Sequence, residues 1–179
     1  CHGAHGIRKA KDPESPVFPK NVPATCSRCH GDSDLMKRHG LKSTAPKDYG
    51  QSVHAHLLLD KGDLSAPTCV TCHGNHGATP PGFRDISHVC GKCHVNEQAA
   101  FAQTKHFALT EKGEFQSCVT CHRNHLIRTK QEEIRKSCGK GHGDETEPAR
   151  ARFASIFATI RGAQERLEAA KDHVQRLGR

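Results

Sequence analysis

The sequence predicts a mainly helical and irregular fold with little or no sheet, ending in a long C-terminal helix. Three observations lead there. Only 34% of the 179 residues are apolar, with one Tyr, one Met and no Trp, which is less than a domain of that length ordinarily buries. Ten Cys and fifteen His accompany the shortage, a density that argues for ligands rather than for a solvated coil. Residues 148–177, in contrast, hold no Cys and follow a helical period.

Taken in order, residues 1–147 read as one Cys- and His-bearing domain and 148–179 as an amphipathic helix. Within the first, residues 7–25 hold four prolines and many charges, the composition of an extended linker. Gly77 to Gly82, with Pro80 and Pro81, reads as a turn. Short helices are expected around the Cys and His segments, one of them over 94–109, where Ala99, Phe101, Ala102 and Phe107 are apolar. In the C-terminal segment Phe153, Ile160, Leu167 and Val174 recur every seven residues, and Ile156, Ala163, Ala170 and Leu177 follow three behind each. That is an a/d heptad stripe. Pro148 suits the first turn and Gly178 the stop, while Gly162 weakens the helix by about 1 kcal/mol. Such a stripe needs cover, either from the first domain, from another helix, or from a second subunit.

Four segments read C-x-x-C-H: Cys26-Ser-Arg-Cys29-His30, Cys69-Val-Thr-Cys72-His73, Cys90-Gly-Lys-Cys93-His94 and Cys118-Val-Thr-Cys121-His122. This spacing is the signature of covalent c-type haem attachment. Each thiol adds to a vinyl group of the porphyrin and the adjacent His becomes the proximal ligand of the iron. Paired cysteines alone would also suit zinc, an iron–sulfur cluster, a redox dithiol or disulfides, but none of these requires a His after the second Cys. At the His frequency of this chain, four chance occurrences have a probability of roughly 10⁻⁴ or less.

Two further segments look like damaged copies. Cys1-His2 opens the chain as though cut inside a motif. Cys138-Gly-Lys-Gly141-His142 keeps the first Cys and the His, with Gly141 in place of the second Cys, so it would hold haem through a single thioether. The expected cofactor is haem c: four from the intact motifs, five or six with His2 and His142 as further proximal ligands.

The motifs form a repeat of two alternating types. The first type carries a second His three residues on: His2 and His5, His73 and His76, His122 and His125. The second type, at His30, His94 and the degraded His142, lacks it. Ahead of the two intact first-type motifs stands a Ser/Thr-x-His followed by Lys-Gly: Ser52 to His54 with Lys61-Gly62, and Thr104 to His106 with Lys112-Gly113. This pattern, most strongly over 50–127 with its "PTCVTCHGNHG" and "SCVTCHRNHLI", resembles the periplasmic and extracellular multihaem c-type cytochromes of bacteria. The resemblance implies a fold organised by stacked covalent haems, mostly bis-histidine coordination, and distal roles for the extra histidines. A His three residues after its own proximal His cannot cross the porphyrin plane. The repeat therefore suggests that His5, His76 and His125 serve the haems of His30, His94 and His142, and that His54 and His106 serve those of His73 and His122. His39, His56, His88 and His173 read as surface or supporting histidines, with His88, close before Cys90, the first to consider as a further distal ligand.

Haems closed by two histidines leave no position for a substrate, so the expected chemistry is outer-sphere electron transfer between redox partner proteins rather than catalysis. A reductase or oxidase of nitrogen or sulfur oxyanions would need an open haem. The altered sites at His2 and His142 are its candidates, and Tyr49 is the single tyrosine such chemistry could use. A subunit of a polymeric cytochrome wire, joined through the haem domain or the C-terminal helix, is a third reading. The formal charge of +8 does not point to nucleic acid. Four to six bis-histidine haems, at about −1 each with their propionates, would reduce it to roughly +2 to +4, and no nucleic-acid motif is present. No apolar run is long enough to span a membrane. Neither an initiator Met nor a signal peptide is present, so the chain reads as a mature form or a fragment. Haem attachment to such motifs places it in the periplasm or outside the cell.

Overall fold

The computed structural model describes residues 1–82, 84–142 and 147–177, without the side chains of 139–141, 147–150, 152, 153, 157, 172, 175 and 177. The chain is 58% helical, with no strand among the described residues. It divides into two compact units, Cys1–Thr129 and Lys130–Arg179. The second unit takes in the degraded motif together with the C-terminal helix.

In the first unit the proline-rich segment is not an extended linker. Asp12 N bonds Lys9 O, Ser15 N bonds Asp12 O, Phe18 N bonds Ser15 O and Asn21 N bonds Phe18 O, all at 2.8–3.0 Å. Pro13, Pro16 and Pro19 stand one residue into three of these four turns, where the fixed φ of proline favours the bend. The prolines recur every three residues, so the segment folds as a ladder of turns. Ser15 is fully buried in it. Asn21 Nδ2 donates to Pro13 O and Ser15 O, and Thr25 Oγ1 donates to Pro16 O, which ties the ladder to α1 (Val22–His30). Asp32 then caps α2 (Ser33–Arg38), accepting from the backbone of Asp34 and Leu35.

The internal repeat is visible in the backbone. In the first copy α3 (Ala45–Gly50) precedes α4 (Val53–Ala55), whose cap Ser52 accepts from Ala55 N, and α5 is the motif Cys69–His73 itself. Residues 78–82 are irregular, and the turn falls at His76 and Gly77 instead. After α6 (Ile86–Gly91), the stretch expected as one helix over 94–109 is two, α7 (Val95–Ala102) and α8 (Lys105–Glu111). The break is at Thr104, extended at ψ 157°, whose hydroxyl donates to Phe101 O while its oxygen caps α8 by accepting from Phe107 N. Ser52 and Thr104 are therefore the same cap. α9 (Cys118–His122) matches α5. The first copy carries one more residue between cap and glycine than the second, and the chain absorbs it as a π-helical turn, His56–Asp60.

Buried apolar side chains among the described residues are few: Val22, Met36, Tyr49, Ala55, Leu58 and Ala66. The second unit is α10 (Gln131–His142) packed on α11 (Glu147–Leu177). Of the a/d stripe, Ile156, Ile160, Leu167 and Val174 are exposed. The stop at Gly178 and the side chains of Phe153 and Leu177 lie outside the described residues. Among those residues no helix is long and apolar enough to cross a membrane.

Candidate functional site

Each intact C-x-x-C-H lies on or against a helix: at the end of α1, as α5 and α9, and from α6 into His94, which caps α7. One helical turn sets residues three apart on the same side, so both thiols of a pair leave one face. Among the described residues no cysteine forms a disulfide. Cys138, on α10, belongs to the second unit, as does the exposed His142.

The thiols meet between consecutive motifs. Cys26 neighbours Cys69, and burial followed by Cys26 pushes the Cys69 thiol up to about 12. Cys72 feels Cys93 and Cys90. Cys90 and Cys118 are neighbours, an interaction that raises Cys90 and lowers Cys118. The motif order along the chain is thus also their order in space.

The histidines pair. Ring centres of His2 and His76 are 6.5 Å apart, those of His54 and His94 6.3 Å, and those of His73 and His125 5.8 Å, with interplanar angles of 81°, 35° and 18°. Two imidazoles bonded through nitrogen to opposite sides of one metal atom, at about 2.0–2.1 Å each, have ring centres roughly 6 Å apart at any mutual angle. Burial, then His94, holds His54 below the usual imidazole range. His125 is lowered by burial, then by His73 and His30, with Asp48 opposing. Both shifts favour the neutral, ligating imidazole. Side chains of this kind, facing in pairs beside paired thiols, suit a haem held by thioethers and two histidines.

These pairings revise those drawn from the repeat. His54 stands beside His94 and not His73. His76 stands beside His2 and not His94, and His125 stands beside His73. The reason is local. After His73 the chain turns at Gly74 (φ 74°) and after His122 at Arg123 (φ 63°). Asn75 Oδ1 then accepts from His76 N, and Asn124 Oδ1 from His125 N. The turn carries the extra His back to the preceding first-type site. Each asparagine directly precedes the repeated His, a signal present in the sequence itself.

His94, His106 and His122 line one cavity of about 180 Å³ with Cys90, Phe101, Phe115, Cys118 and Cys121. His122 Nδ1 lies 2.9 Å from Arg128 O; donating its proton there leaves Nε2 free for a metal, as is usual for ligating histidines. Tyr49, buried, donates to Pro67 O at 2.8 Å just ahead of the Cys69 motif, and burial followed by Cys69 and Cys72 pushes it up to about 12. Its counterpart in the second copy is Phe101, a correspondence readable in Tyr49-Gly-Gln-Ser52 against Phe101-Ala-Gln-Thr104.

The remaining histidines lie outside these pairs, although His30 is near enough to His125 to lower its pKa. His5, His30 and His39 are exposed. His56 Nδ1 lies 2.6 Å from Asp60 Oδ2, and His88 Nδ1 lies 3.1 Å from Gln98 Nε2. His173 is exposed on α11. Among the described residues no three His, Cys, Asp or Glu side chains converge on one point. Comparison with family models, curated proteins and solved structures found no match.

Proposed function

We propose that this chain is a multihaem c-type cytochrome that carries electrons between redox partners outside the cytoplasm. The observation that carries the reading is the set of three histidine pairs at 5.8–6.5 Å, each joining the His of a Cys-His motif to one outside any intact motif. Cys69 and Cys72 with His73 and His125 would hold one haem, Cys90 and Cys93 with His94 and His54 a second, and Cys118 and Cys121 with His122 and His106 a third. Cys26, Cys29 and His30 would hold a fourth. His2 with His76 offers a fifth, and Cys138 with His142 a sixth.

Bound there, haem c would supply reversible one-electron chemistry. The protein's part is spacing, ligation and burial. The proximity of consecutive motifs would keep neighbouring haems close enough for electron hopping, and the paired histidines would be the side chains that hold each iron. The multihaem fold follows from the same reading: covalent groups complete an interior for which the chain supplies few apolar side chains.

The test is expression in a host that attaches haem, followed by intact mass and visible spectra. A mass increase of four to six haems with low-spin spectra is expected. The mass of the bare chain would refute the reading. Carbon monoxide binding by the reduced protein would shift the weight toward an open, catalytic haem.

A further inference from the structure

We infer that Phe115 is a positioning residue that fixes the plane of the His106 imidazole and so gives the second repeat a haem electronically unlike that of the first. The inference rests on the cytochrome reading and deepens it. The Phe115 and His106 rings lie 4.8 Å apart at 9°, nearly parallel. Phe115 is backed in turn by Phe101, at 6.4 Å and 27°, and Phe107 meets Phe101 edge-on at 5.8 Å and 86°. The three Phe rings thus form a buttress on one face of the imidazole.

An axial imidazole can turn about its bond to the metal. A flat ring lying against one of its faces removes that freedom. The plane of the imidazole sets which iron d orbital overlaps with its π system, and so shapes both the magnetic anisotropy and the potential of the site. Outer groups that orient a ligand act on a metal in this way.

The repeat supplies an internal contrast. Lys112-Gly113-Glu114-Phe115 aligns with Lys61-Gly62-Asp63-Leu64, and Gly113 and Gly62 share a positive φ of 79° and 75°. Leu64 has no ring and is 49% exposed. His54, the counterpart of His106, therefore has no flat partner from that position.

The experiment uses the haem-loaded chain, with low-temperature electron paramagnetic resonance and a redox titration. Phe115→Leu, which copies the first repeat, is expected to abolish one wild-type low-spin signal, replace it with a shifted one, and move one midpoint potential. Phe115→Tyr keeps the flat face and retains the wild-type signals. Should Phe115→Leu fail to fold, Phe115→Met preserves the volume without a ring face and carries the same readout. A haem-loaded Leu or Met variant with every signal and potential unmoved overturns the inference. A wild-type chain that attaches no haem overturns the cytochrome reading instead, and intact mass separates the two outcomes.

Discussion

A histidine can close the far side of a cofactor only if the backbone brings it there, and three residues of chain are too short a path around a porphyrin. That constraint makes His125 the most informative side chain to remove. Its ring lies 5.8 Å from His73, so His125→Ala should turn one low-spin haem high-spin and allow it to bind carbon monoxide, with no change in haem count by mass. The effect should persist in a His142→Ala background; its disappearance there would restore the assignment to His142. At Tyr49 the phenol donates to Pro67 O, so Tyr49→Phe removes a hydrogen bond and is expected to cost about 1 kcal/mol, read as a lower thermal midpoint of the haem-loaded protein.

The elements α5 and α9 have the same sequence, Cys-Val-Thr-Cys-His, and differ in what bounds them. α5 begins at a capping box of Thr68 with Thr71 and ends at Gly74, φ 74° and ψ −178°. α9 begins at Ser117, φ 51°, and ends at Arg123, φ 63° and ψ 172°. That last conformation suits glycine, and a side chain there stores about 1–3 kcal/mol of strain. Arg123→Gly should accordingly raise stability by about 1 kcal/mol, seen as a higher melting temperature, and Gly74→Arg should lower it. The helical character of the motifs and the C-terminal helix were legible in the sequence because both rest on local spacing. The turn ladder over 9–21 was legible only in the three-residue interval of its prolines, which composition concealed. The break at Thr104 was readable as a cap. The pairing of the histidine rings was not, because it depends on where Gly74, Arg123 and two asparagines aim the chain, and that follows backbone conformation rather than residue type.

At the scale of the molecule the shortage of apolar residues becomes a thermodynamic statement. The buried apolar side chains described all belong to the first unit, and Ala55 and Ala66 among them contribute little area. Covalent haems would add apolar surface to that interior, each tying two thiols and two imidazoles to one rigid plane. A chain with all motif cysteines exchanged for alanine should therefore lose its cooperative melt. The loss should not be uniform. α11 is 31 residues long, well beyond the length of about 12–15 residues below which an isolated helix is marginal, so part of the far-ultraviolet helical signal should survive and melt broadly. Hydrogen exchange resolved by segment would then find residues 1–129 unprotected, with the remaining protection confined to the C-terminal unit. A sharp melt and protected amides in the first unit of such a chain would mean that the polypeptide alone supplies its core, and the structural argument for haem would fail with it.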